Sequence, residues 1–200
     1  MEDNISNMNK FFSSKIEKLA LSGKKIFTTE DLAVIWQIPQ RRRLIELIKY
    51  YLREKRLKSI YKGIYAYGGD YTPYDIAQKL IPLSYISLYT SSQMYGLTFQ
   101  YYQTVYAVSL KRKKYKIGKQ GYFYSRVKEP VFYNQLGLVN NGRYIIADRE
   151  RTITDCLYVF PRFAFDNLRG VDKEKLLTLA RIYDNKSLEK RVEKLLKLID

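Results

Sequence analysis

The 200-residue sequence predicts a mixed α/β (α+β) protein in two parts. Three observations carry that prediction. Apolar residues recur at helical spacing three times before Glu54, a Tyr- and Ile-rich stretch alternates around Gly63, and four β-patterned runs between Thr104 and Ala147 are followed by three further helical stretches.

Asn7 to Leu21 reads as a helix, with Phe11, Phe12, Ile16, Leu19 and Ala20 on one face and Ser22-Gly23 ending it. Thr28 is a good N-cap for a second helix, Asp31 three residues on makes a weaker version of the Glu/Gln capping box, and Leu32, Ala33, Ile35 and Trp36 supply the apolar face. The turn Gln37-Ile38-Pro39 opens a third helix, proline fitting a first helical turn, and this helix runs to about Glu54. Leu57 to Tyr67 reads as a hairpin. Three helices with a tight turn between the second and third, then a hairpin, is the winged helix-turn-helix order.

Gly68-Gly69-Asp70 and Thr72-Pro73 read as a linker, which sets domains at 1–70 and 71–200. Helices are expected at Tyr74 to Leu80 and Ser84 to Tyr95, and strands at Thr104 to Leu110, Lys113 to Ile117, Gly121 to Arg126 and Tyr144 to Ala147. Helices return at Arg149 to Val159, Asp172 to Tyr183 and Ser187 to Leu198. The leucine stripes of the last two read as core or a helix hairpin. Periodicity does not order the sheet.

Composition narrows the chemistry. Histidine is absent, which removes His-based general bases, Ser-His and Cys-His pairs and imidazole zinc sites. Carboxylate chemistry with magnesium, lysine chemistry and plain binding survive. The single cysteine, Cys156, fits a buried small hydrophobe in a reducing compartment. No apolar run approaches the roughly 18 residues of a membrane span, and Met1 to Asn9 is acidic and polar, so a cytoplasmic protein without a membrane partner is expected. A formal charge of +16 points to a polyanion.

Location sharpens the charge. Residues 41–62 hold nine Lys or Arg against Glu46 and Glu54, a net of +7, while 1–70 nets only +6 from fourteen cations and eight acids. On a helical wheel Leu44, Ile45, Leu47, Ile48, Tyr51 and Leu52 share one arc; Arg42, Glu46, Lys49, Tyr50 and Arg53 share the other, with Arg43 at its edge. This places a basic helix against double-stranded DNA, with Gln40, Arg42, Arg43 and Glu46 as candidate base readers. Arg41 is expected toward the packed side, at a phosphate or a cap. Lys49 and Arg53 continue the basic face, Lys58 and Lys62 reach out from the hairpin, and Thr28 and Thr29 either contact a phosphate or cap their helix.

The second part carries the remaining +10. Lys111, Arg112, Lys113, Lys114, Lys116 and Lys119 surround Tyr115 without an acid, framed by Tyr101, Tyr102, Tyr106, Tyr122 and Tyr124. Such a patch suits a phosphate backbone or stacked RNA bases, or equally a charged hairpin tip that keeps a sheet edge from pairing. Asp148, Glu150 and Asp155 admit a magnesium-dependent nucleic-acid-processing enzyme, though Asp148 as N-cap, Glu150 at the positive helix end and an Arg151–Asp155 i,i+4 pair fit a helix start. A second domain that binds only protein is the third reading. No cofactor is implied.

Four runs carry a family resemblance: Ile26-Phe27-Thr28-Thr29-Glu30-Asp31-Leu32, Leu57-Lys58-Ser59-Ile60-Tyr61-Lys62-Gly63-Ile64-Tyr65, Ser84-Tyr85-Ile86-Ser87-Leu88-Tyr89-Thr90-Ser91-Ser92 with Tyr95-Gly96-Leu97, and Ile146-Ala147-Asp148-Arg149-Glu150-Arg151-Thr152-Ile153-Thr154-Asp155. Together they resemble the AbiEi-like antitoxins of type IV toxin-antitoxin (abortive infection) systems, with Arg149 where that family usually has proline. The resemblance implies a winged helix that represses its own operon by binding inverted repeats, two copies on one site. It also implies a C-terminal antitoxin domain, marked by Ser84, Tyr85, Ser91, Glu150, Arg151 and Asp155, that opposes a nucleotidyltransferase-like toxin.

Overall fold

The computed structural model describes residues 15–199, and the chain divides into two units after Leu80. It is a mixed α/β fold. The segment at 71–80, expected with the second part, belongs to the first unit, because its helix packs on that unit's first strand.

In the first unit, helix α1 is described over residues 15–21; the expected stretch from Asn7 to 14, with Phe11 and Phe12, lies outside the described residues. Strand β1 (Ile26–Thr28), absent from the sequence reading, runs straight into α2 (Thr29–Trp36). Three residues are too few for a period to show, and the strand exists because β3 pairs with it. Thr28 Oγ1 accepts from the Asp31 amide at 3.0 Å and the Asp31 carboxylate accepts from the Thr28 amide at 2.9 Å, a complete capping box.

Gln37, left-handed at φ +56, stops α2, and the chain stays outside the helix through Gln40 before α3 (Arg41–Arg53). Pro39 therefore sits in the turn rather than in the first helical turn. β2 (Lys58–Tyr61) and β3 (Ile64–Ala66) form a hairpin around Gly63 at φ +74, and the antiparallel sheet runs β1-β3-β2. Helix α4 (Pro73–Leu80) follows, and Lys79 Nζ meets the Asp31 carboxylate at 2.6 Å, tying it to the start of α2.

Phe27, Leu32, Trp36, Leu44, Leu47, Ile48, Tyr51 and Leu57 build this unit's core, with the Trp36 and Tyr51 rings 5.3 Å apart. Lys15 donates to the Trp36 carbonyl at 2.6 Å while the Trp36 indole donates to the Lys15 carbonyl at 3.1 Å. The ammonium thus caps the negative end of α2.

The second unit is built on a six-stranded mixed sheet, β4 (Tyr85–Ile86), β5 (Val105–Ser109), β6 (Lys113–Ile117), β7 (Gln120–Arg126), β8 (Leu138–Asn140) and β9 (Ile145–Ala147), in the order β6-β7-β5-β4-β9-β8. β5/β7 and β4/β9 pair in parallel and the other neighbours antiparallel. Helices α5 (Leu88–Met94), α7 (Arg149–Val159), α8 (Lys173–Ile182) and α9 (Lys186–Leu196) contribute a core with Tyr85, Val108, Ala147, Ile153, Cys156, Leu176, Tyr183, Leu188 and Val192. Of the apolar stripes read as core in the last two helices, Leu176, Leu179, Ala180, Leu188 and Val192 are buried, Leu177, Ile182, Leu195 and Leu196 are half-buried, and Leu198 is exposed beyond the end of α9.

The expected helix from Ser84 to Tyr95 is instead a strand and a helix. Tyr85-Ile86 is inserted between β5 and β9, and Leu88, fully buried at φ +58, makes the turn into α5. Central pairing overrode the local helical pattern. The short helix α6 (Glu129–Tyr133) and the edge strand β8 were not foreseen.

Candidate nucleic-acid interface

Helix α3 separates by face as its wheel requires. Leu44, Leu47, Ile48 and Tyr51 are buried, whereas Gln40, Arg42, Arg43, Glu46, Lys49 and Arg53 are exposed. Every one of the nine cations between Arg41 and Lys62 is exposed, Lys55, Arg56, Lys58 and Lys62 included. Arg41 departs from expectation, since it is exposed rather than turned to the packed side, and Gln40 takes the cap position without a side-chain hydrogen bond. Arg42 Nε meets Glu46 Oε1 at 3.2 Å, with the Arg42 side chain 94% exposed. An exposed i,i+4 pair contributes only about 0.3–0.5 kcal/mol, so Glu46 holds the guanidinium only weakly. Arg53 lies 5.6 Å from the Tyr50 ring and 3.8 Å from Glu54.

The two threonines are engaged by the fold. Both arms of the capping box use Thr28, and the Thr29 amide donates to the Gly63 carbonyl at 3.0 Å, docking the hairpin tip on the start of α2. The amides offered for a phosphate contact are thus spent on internal structure.

In the second unit the basic patch lies on β6, an edge strand, and on its turn into β7. Gly118 at φ +57 opens the two-residue loop with Lys119, a turn whose backbone suits the strand twist. The cations do not share one face: Lys113 and Tyr115 lie opposite Tyr124 and Tyr122, while Lys114 lies opposite Phe123. Tyr122 and Tyr124 are buried, and burial holds the Tyr124 phenol above its ordinary pKa. Phe123, absent from the sequence reading, collects Arg112 at 5.8 Å and Lys114 at 5.7 Å from its ring centre, and Tyr106 sits 5.4 Å away. Pairing Lys114 with its partner across a tight hairpin would have found it.

The motif around Arg151 is interior. Ser84, Tyr85, Ser91, Glu150, Arg151 and Asp155 are all buried, Arg151 and Asp155 completely. The Asp155 carboxylate accepts from Ser87 Oγ at 2.6 Å, from the Tyr85 hydroxyl at 3.2 Å and from the Tyr183 hydroxyl. Arg151 Nε stands 3.8 Å from Asp155, and its terminal nitrogens donate to the Val131 carbonyl at 2.6 Å, the Leu136 carbonyl at 3.0 Å and the Tyr85 hydroxyl at 3.1 Å. The guanidinium therefore ties β4, α7 and the α6–β8 connection together. Thr152 Oγ1 donates to Ser91 Oγ at 2.7 Å, joining α7 to α5. Burial pushes Asp155 above the ordinary carboxylate range against the pull of Arg151 and the three hydroxyls; burial and the Asp155 charge keep the Tyr85 and Tyr183 phenols protonated.

The magnesium reading meets a lysine. Asp148 caps α7 by accepting from the Arg151 amide at 2.9 Å, and its other oxygen meets Lys175 Nζ at 2.5 Å. Glu150 meets the same ammonium at 3.2 Å and accepts from the Asp172 amide at 3.1 Å. Asp155 faces away into its hydroxyl cluster, and no group of three potential metal ligands gathers among the described residues. The carboxylates hold the lysine above its usual pKa, the Asp148 hydrogen bond contributing most. No helix among the described residues is long and apolar enough to cross a membrane.

No protein-family model matches the chain. No curated protein matches it either. Among solved structures, the RV2827C protein from Mycobacterium tuberculosis is similar over 94% of this chain and 76% of that one, with a TM-score of 0.56 at 13% identity. A likeness at that identity is one of fold.

Proposed function

We propose that the first unit is a winged helix-turn-helix and that it binds duplex DNA, α3 lying in the major groove with the β2–β3 hairpin as wing. The observation that carries this reading is the exposure of all nine cations between Arg41 and Lys62 around a helix whose other face is buried. Gln40, Arg42, Arg43 and Glu46 meet base edges; Arg41, Lys49, Arg53, Lys58 and Lys62 meet phosphates. The protein regulates rather than catalyses. It acts as an AbiEi-like repressor and antitoxin, two copies binding inverted repeats ahead of its own operon, and it opposes a nucleotidyltransferase-like toxin. The sequence resemblance supports this last part, and burial of the motif residues makes them the scaffold of the second unit, leaving toxin contact to its surface.

A fluorescence anisotropy titration with duplex from upstream of its own reading frame tests the DNA reading. Arg42→Ala with Arg43→Ala is expected to abolish sequence preference, and Arg41→Ala with Lys49→Ala is expected to weaken all sequences alike and to lower the slope of log affinity against log salt by about 1.8, at about 0.9 per phosphate contact. Unchanged affinity and slope overturn it. The antitoxin half predicts that the adjacent reading frame encodes a nucleotidyltransferase-like toxin and that co-expression with it restores growth; a neighbour of another kind, or continued toxicity, overturns that half alone.

A further inference from the structure

Two cavities in the second unit meet at one aromatic ring. The first, about 540 Å³, is lined by Tyr106, Lys114, Lys116, Lys119 and Phe123 among others; the second, about 590 Å³, by Arg112, Phe123, Arg126, Tyr158 and Phe160 among others. Phe123 is a wall of both, no Asp or Glu among the described residues lines either, and both volumes fall in the range of small-molecule sites. We infer that this face of the β6–β7 hairpin binds single-stranded nucleic acid, with successive bases in the two cavities against Phe123 and phosphates beside Arg112, Lys114 and Lys116.

Physical chemistry favours a single strand over a duplex. Bases inside a duplex already stack on one another, whereas splayed bases present π-faces that aromatic side chains take up. Here the half-buried Phe123 continues a chain of rings, with Tyr106 at 5.4 Å and Tyr89 a further 5.0 Å from Tyr106, so the platform is held rigid from the core side. Register puts Lys114, Phe123 and Tyr106 in one row across three strands. Edge protection accounts for lysines on an outer strand. It does not account for Arg112 and Lys114 both converging on one half-exposed ring, nor for two acid-free concavities that meet there.

This surface belongs to the second unit and α3 to the first, and the test uses the full chain with fluorescein-labelled oligouridylate and oligothymidylate of about a dozen nucleotides beside a duplex control. Phe123→Ala is expected to weaken single-strand binding roughly 5- to 100-fold and leave duplex binding unchanged. Lys114→Gln with Lys116→Gln, both exposed and safe for folding, is expected to lower the single-strand salt slope by about 1.4. Arg42→Ala with Arg43→Ala is expected to spare single-strand affinity, so loss there would leave the DNA reading standing and overturn this one. Tighter binding of oligouridylate identifies RNA through its 2′-hydroxyls, and equal binding identifies either strand; both support the inference. Single-strand affinity that none of the second-unit variants moves overturns it. So does a loss confined to the lysine variants, the mark of a plain cationic surface for an acidic protein.

Discussion

Removing the Asp155 carboxylate is expected to destabilise the second unit severely. Asp155 and Arg151 are both fully buried, and Asp155→Ala leaves the guanidinium with carbonyl and hydroxyl acceptors but no neighbouring anion. Breaking a buried pair from one side costs about 3–5 kcal/mol. The same change strips the Ser87, Tyr85 and Tyr183 hydroxyls of their acceptor, at about 1–3 kcal/mol for each buried group left unpaired. These terms share one site and do not add, so a total of about 4–5 kcal/mol is the reasonable expectation. Against a domain stability of about 5–15 kcal/mol that is about a quarter or more, and it corresponds to a fall in melting midpoint of roughly 10 °C or beyond. Urea denaturation followed by far-UV circular dichroism measures it. Asp155→Asn, which keeps an acceptor oxygen without the charge, is expected to fall between parent and Asp155→Ala. Arg151→Met in the Asp155→Ala background is expected to lose less than the sum of the single losses. A single-variant loss under about 1 kcal/mol, or strict additivity in the double variant, would refute the electrostatic account of this cluster.

Three further outcomes can be measured. Gly137 adopts φ +77, and a Cβ there would stand 2.7 Å from Arg151 Cβ, so Gly137→Ala is expected to lose about 2 kcal/mol or more, with an unshifted melting curve as the contrary result. Burial raises the Asp31 pKa, but the Lys79 and Thr28 hydrogen bonds outweigh it and hold the group below 3.8. The stabilisation is therefore complete above that value and fades as pH falls through the lower folded value. Parent and Asp31→Asn, followed by the fluorescence of Trp36, the single tryptophan, should differ by about 1 kcal/mol at neutral pH and converge in acid; a gap that persists in acid contradicts the assignment. Millimolar magnesium is expected to leave the melting midpoint unchanged while Lys175 closes Asp148 and Glu150, and a rise in midpoint would reopen the cation site.

Local chemistry was legible wherever neighbours in sequence are also neighbours in space. The capping box at Thr28 and Asp31, the Asp148 cap of α7, the Arg151–Asp155 spacing and the two faces of α3 all follow from helix geometry within a turn or two. The basic segment 41–62 needed only counting, since Lys and Arg rarely bury and the nine here are exposed.

Partners distant along the chain were not legible. Tyr85, Ser87, Asp155 and Tyr183 meet around one carboxylate although they span almost a hundred positions, and Lys175 closes on Asp148 and Glu150 from another helix. The amino-acid order by itself determined the helices long enough to show a period, their caps, and the concentration of positive charge on α3. The folded chain alone decided that Tyr85-Ile86 is a strand, that Arg112 and Lys114 gather over Phe123 rather than over a tyrosine, and that the Arg151 motif is interior. The physical reason is that helix hydrogen bonds and caps close within about four residues, whereas a strand needs a partner and a buried charge needs a counter-charge, and both come from wherever the chain returns.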